Sequence, residues 1–238
     1  MHCLRYGDAE GARGHALTAV GVARTAADAF AQAWSLTLCG DAEESDGHRD
    51  SARRRWTEAA TIFKSVGARI RWAYAVLRIG FLDLAEGDRA AAEQRLADVH
   101  RLADELGAED LHAAVGNLRA VLMVQGGRCS DAEAAFLRTW ANPTAPLDRR
   151  AVAGAGLAAV RLAADTSWHR DDTQDGTWTY IDGAREIQAR LLEPQARRAV
   201  GVLLDRLEAH RHAPDTRTGA LPVHDWLLDG PSVLAAFC

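Results

Sequence analysis

Lysine is almost missing from this chain: of the 28 basic residues in 238, only Lys64 is a lysine. Proline is missing from the whole stretch before Pro143, and all six prolines lie beyond residue 142. Everything up to Asn142 can therefore run as uninterrupted helices, while the remainder must be more broken. Aromatic residues make up 6% of the chain. The four cysteines (Cys3, Cys39, Cys129 and Cys238) are far apart and form no C-x-x-C pair, which argues against a structural zinc site or a redox motif. No apolar run approaches the roughly 18 residues that a membrane crossing needs. Residues 1–14 are polar and charged, unlike a secretory signal. The expectation is a soluble protein of a reducing, cytoplasmic compartment. A net charge of -5 and a pI near 6.0 provide no basic field for nucleic acid. The Arg53-Arg54-Arg55, Arg149-Arg150 and Arg197-Arg198 clusters all have acidic neighbours, so they read as solvated helix faces. There is no G-x-S-x-G, no H-E-x-x-H and no phosphate-binding glycine loop after a strand.

What the chain does contain is a spacing. Ala52, Ala92 and Ala132 stand 40 residues apart, and so do the bulky Trp56, Leu96 and Phe136. The first two copies also end alike, in Val66-Gly67 and Leu106-Gly107. A fixed period of this size belongs to stacked helical hairpins. The composition agrees, being rich in Ala, Leu, Arg and Glu, all strong helix formers. Helices are predicted over 15–39, 50–65, 69–85, 89–106, 109–125, 130–141, 148–164, 177–192 and 195–211. Gly40, Gly47, Gly67, Gly87, Gly107 and Gly126-Gly127 mark the joints. Asp88 and Asp110 suit N-caps, Ser130 with Glu133 fits a capping box, and Gly107 and Gly126 suit left-handed C-caps. Over 89–106, Ala92, Leu96, Val99, Ala103 and Leu106 form one apolar stripe opposite Arg89, Glu93, Arg95, Asp98 and Arg101.

Residues 73–106 resemble a tetratricopeptide repeat. Ile79-Gly80 matches the Leu-Gly pair of that family's first helix, and Gly87-Asp88 matches its turn. Ala92 and Leu96 match the small and bulky positions of its second helix. Gly80 and Ala92 are expected where the two helices cross closely. Residues 113–140 keep Leu118, Gly126, Ala132 and Phe136. Residues 26–66 keep Gly40-Asp41, Ala52, Trp56 and Ala59, with a turn lengthened by residues 42–50. Residues 148–192 keep a first helix around Leu157, followed by a long polar segment at 165–176. The style is similar to the degenerate repeat arrays of large actinobacterial transcriptional regulators, although the chain has no room for their DNA-binding and nucleotide-binding domains. The resemblance implies an all-α fold. It would be a right-handed α-solenoid of three to four hairpins over 15–212, after a polar segment at 1–14, with 213–238 as a C-terminal helical cap.

It also implies a non-catalytic module of a bacterial regulatory or biosynthetic pathway, whose concave groove holds a peptide, a partner protein or a small ligand. First-helix residues would line that groove: Arg71, Tyr74, Arg78, Asn117 and Arg161. No cofactor is expected in this reading. The alternative starts from Asp171-Asp172-Thr173-Gln174-Asp175, which fits the D-D-x-x-D magnesium-diphosphate motif of isoprenoid synthases. Carboxylates at this spacing on a helix can hold Mg²⁺ ions that bridge phosphate oxygens. A helical enzyme or small-molecule sensor would then centre on Trp168, Asp171, Asp172, Asp175 and Trp178. The competing reading of the same residues is a solvated acidic turn. No second metal motif accompanies them, and the histidines lack ligand spacing.

Overall fold

The computed structural model describes residues 9–164, 176–192 and 194–212. All regular structure among them is α-helical, in ten helices with no strand. They are α1 (Ala9–Thr25), α2 (Ala29–Ser45), α3 (Arg49–Ser65), α4 (Arg69–Ala85), α5 (Arg89–Leu106), α6 (Glu109–Gln125), α7 (Cys129–Ala141), α8 (Leu147–Ala164), α9 (Thr177–Arg190) and α10 (Pro194–His212). None is long and apolar enough to cross a membrane.

The first seven helices each begin 20 residues after the one before. The joints explain the regularity. Ala27, Gly47, Gly67, Gly87, Gly107 and Gly127 all take positive φ, between 55° and 81°. At each of the Ala27, Gly47, Gly67, Gly87 and Gly127 joints, the next amide donates back to the carbonyl five residues earlier, as His48 N–H does to Glu43 O at 2.8 Å. This left-handed closure satisfies the last carbonyls and lets a new helix start at once. The 40-residue period is thus two 20-residue steps.

The predicted helix over 15–39 is two helices. Ala27 turns the chain at φ 55°, and Asp28 caps α2 by accepting from Ala31 N–H at 2.9 Å. Nor do residues 42–50 lengthen a turn, because α2 continues through Gly40-Asp41 to Ser45. Gly40 serves packing instead: a Cβ there would lie 2.4 Å from Trp56 Nε1. Gly80 proves roomier than expected, since its nearest neighbour would be Arg95 Cβ at 3.7 Å. Three smaller corrections concern caps. Asp110 lies inside the first turn of α6 and pairs with Arg149. The α7 N-cap is Arg128, so Ser130 and Glu133 form no capping box. Gly127, not Gly126, takes the left-handed conformation.

The described residues fall into two compact units, one ending at Leu106 and one starting at Gly107. In the first, consecutive helices pack on one another. Helices α2 and α4 are buried on most sides, through Ala33, Leu36, Cys39 and Ala42, and through Ala73, Leu77, Phe81 and Leu84. Helices α1, α3 and α5 each bury one stripe, such as Ala52, Trp56, Ala59 and Phe63 of α3. The bulky members of the 40-residue spacing, Trp56, Leu96 and Phe136, are all fully buried. An ion pair also recurs at this spacing: Arg55 Nε with Glu43 at 3.4 Å, and Arg95 Nε with Asp83 at 2.6 Å. In the second unit α8 is central and contacts α6, α7, α9 and α10. Its Ala151, Ala155, Ala158 and Ala159 are buried, and small residues let the neighbours approach. Gly154 faces Trp140 and Gly156 faces Phe136, each leaving no space for a Cβ. The 20-residue step ends before α8, at the Asn142–Pro146 connection with its two prolines.

Candidate binding face on α2 and α4

From Trp34 onward, the α2 residues not fully buried are Trp34, Leu38, Asp41 and Ser45. Their spacing places them on one helical stripe. The α4 stripe carries Arg71, Tyr74 and Arg78, and Trp34 and Leu38 stand 40 residues before Tyr74 and Arg78. The two stripes meet through side chains. The Arg71 guanidinium lies over the Trp34 ring, 4.5 Å from its centroid. Such a cation on an aromatic face contributes about 0.5–1 kcal/mol where water reaches it. Arg78 grips Asp41 with two donors, Nε at 2.7 Å and Nη2 at 3.3 Å. Asp41 also accepts from Trp56 Nε1 at 3.1 Å, so one carboxylate ties α2, α3 and α4 together. Arg78 is therefore a structural cation, with its side chain only 18% exposed, whereas the Arg71 head remains exposed.

Glu44 sits one turn beyond Asp41 and is 2% exposed. Burial pushes its carboxyl up to about 8, and nearby Asp41 adds to the shift, while Arg49 and Arg78 oppose it. The negative end of the α2 dipole acts in the same direction as burial. Glu44 is therefore mostly protonated at neutral pH. Its Oε1 and Glu43 Oε2 are buried without a hydrogen-bond partner among the described residues. The Cys39 thiol is pushed up to about 11, chiefly by burial, and stays protonated. A buried neutral thiol is a poor nucleophile. Neither Glu44 nor Cys39 lines the cleft beside Phe63, Trp72 and Leu102 or the one beside Val22, Ala23 and Ala31.

The structure brings Arg71, Tyr74 and Arg78 onto one stripe. Asn117 and Arg161 belong to the second unit. Asn117 is fully buried, donating from Nδ2 to Arg149 O at 2.9 Å. Arg161 pairs with Glu133 at 2.7 Å and lies 4.9 Å from the Tyr180 ring centroid, and Tyr180 in turn stands edge-on to Trp140. Trp168, Asp171, Asp172 and Asp175 lie outside the described residues, as does the segment 213–238. Trp178 falls in α9, and its side chain is likewise outside them. Sequence reasoning missed Trp34, Asp41 and Glu44. Carrying Tyr74 back by the 40-residue period would have reached Trp34. No family model, curated protein or solved structure matches this chain.

Proposed function

We propose that the chain is a non-catalytic interaction module whose α2–α4 face takes a peptide segment of a partner protein. The observation that carries this reading is the Trp34–Arg71 stack beside half-buried Tyr74, an aromatic and cationic surface on two helices whose later turns are otherwise mostly buried. Aromatic rings and arginine dominate binding energy at protein interfaces, because both offer large contact areas with directional polar groups. The fixed 20-residue helix step supports a tetratricopeptide-like array, a right-handed solenoid in which these stripes would line a concave groove. In that reading the protein works in the cytoplasm of a bacterium, in a regulatory or biosynthetic pathway. The buried, protonated state of Cys39 and the enclosure of Glu44 favour binding over chemistry. The bound segment carries an acidic side chain opposite Arg71 and an apolar one against Trp34 and Tyr74.

Peptide display on the full chain tests this. Enrichment of acidic–aromatic or acidic–aliphatic sequences is expected, with affinity falling at least about tenfold in Arg71→Glu and in Tyr74→Ala. Enriched peptides that bind Arg71→Glu as tightly as the parent would refute the reading. So would a display that enriches nothing.

A further inference from the structure

A second site lies in the same unit, where the end of α3 meets the start of α4 and the last turns of α5. We propose that this cleft, of about 480 Å³, binds a small aryl anion, a flat apolar body carrying one negative group. Its volume falls in the range of small-molecule sites, about 300–1,000 Å³. None of Trp34, Arg71, Tyr74 or Arg78 lines it, so it stands apart from the α2–α4 face.

The floor is apolar. It consists of Phe63, 1% exposed, Leu102, 6% exposed, and half-buried Trp72. Phe63 is held edge-on by Phe30 at 5.6 Å, which fixes that part of the floor. The rim carries three cations, Lys64, Arg69 and Arg101, and two carboxylates, Asp98 and Glu105. The carboxylates are engaged. Arg69 pairs with Glu105, and Arg101 contacts Asp98 at 3.3 Å and Glu105 at 3.8 Å. Lys64 has no ion-pair partner among the described residues. One positive charge is thus left over beside an aromatic wall, in a chain whose net charge is -5. The neighbouring start of α4 has no side-chain cap and no acidic residue in its first turn, so the helix dipole adds potential of the same sign. An aryl group on Trp72 and Leu102 places its anionic substituent within reach of the Lys64 ammonium. These three ion-pair contacts leave the arginines as donors of hydrogen bonds more than of net charge.

Anilinonaphthalene sulfonate has the required chemistry and reports its own binding by fluorescence. Titrated into the full chain, it is expected to bind saturably at one site. Lys64→Gln should weaken that binding about tenfold, and Lys64→Arg should keep it within about threefold. Lys64 is the only side-chain amine in the chain, so acylation at that residue can be followed by peptide mass spectrometry. Saturating dye should slow it at least about fivefold if the dye occupies the cleft. Unchanged dye affinity in Lys64→Gln, or unchanged Lys64 acylation under saturating dye, overturns the assignment. Equal loss in Lys64→Gln and Lys64→Arg, with helical content intact, overturns it too, because charge is then not what holds the dye. The peptide-display result on Arg71 is independent of all these outcomes.

Discussion

Replacing Glu44 by glutamine should make the protein more stable at neutral pH, and the difference from the parent should depend on pH in one direction. In the folded chain the Glu44 carboxyl is raised from 4.5 to about 8, first by burial and then by Asp41. The unfolded chain exposes it as an ordinary carboxyl. A raised carboxyl leaves stability intact below the unfolded value. Stability is lost as pH climbs from there towards the folded value, because only the unfolded chain releases the proton. Each unit of separation is worth about 1.36 kcal/mol, so the loss is about 0.4 kcal/mol at pH 4.5, about 3 kcal/mol at pH 7 and nearly level above pH 8. Glutamine at this position cannot ionise. Its buried amide adds an offset of about 1–2 kcal/mol that does not change with pH. The stability difference between Glu44→Gln and the parent should therefore rise by about 3 kcal/mol from pH 4.5 to pH 7 and by about 1 kcal/mol more to pH 8, flattening above it. Urea unfolding followed by circular dichroism on both proteins, across that range, measures the difference directly. A difference that stays flat with pH refutes the reasoning. One that shrinks as pH rises refutes it more strongly, since it would mean that Glu44 is held ionised by Arg49 and Arg78.

Gly40 and Gly80 occupy equivalent positions on α2 and α4, yet alanine should act on them in opposite senses. Gly40→Ala drives a methyl into the Trp56 indole and should cost about 2 kcal/mol or more, whereas Gly80→Ala meets ordinary contact and should gain about 0.5–1 kcal/mol in thermal unfolding. Asp83→Asn should cost about 2–4 kcal/mol, because Arg53 and Arg95 both converge on this 4%-exposed carboxylate. The equivalent Glu43→Gln should cost less in the same assay, since Glu43 has a single 3.4 Å contact to Arg55.

Most helix boundaries were legible because glycine at a left-handed joint and proline after Asn142 are strong local signals. The joint at Ala27 was not legible. An alanine carries no sign of the left-handed turn it adopts at φ 55°, which is closed by the Asp28 N–H bond to Ala23 O and by the Asp28 cap on α2. Gly40-Asp41 misled for the opposite reason: it looks like Gly87-Asp88, but its glycine accommodates the Trp56 indole and its aspartate binds Arg78. With those residues read as a turn, nothing in the pattern marks Asp41, Glu43 or Glu44 as facing the helix interior. Glu43 and Glu44 are buried and Asp41 is nearly so: Arg78 and Arg55 reach Asp41 and Glu43, and burial keeps Glu44 protonated. On α4, whose ends were placed correctly, helical phase sufficed to group Arg71, Tyr74 and Arg78. Asn117 also followed from phase, but α6 is buried there by α8, which a single helix's pattern does not reveal.

The uniform length of the helix-plus-joint step has a consequence for how such a chain can change. Removing two whole steps would join the same kind of helix to the same kind of joint, whereas a length change inside one helix shifts the residues after it, up to that helix's end, onto a different face. Two paired contacts recur at that interval, Glu43–Arg55 and Asp83–Arg95.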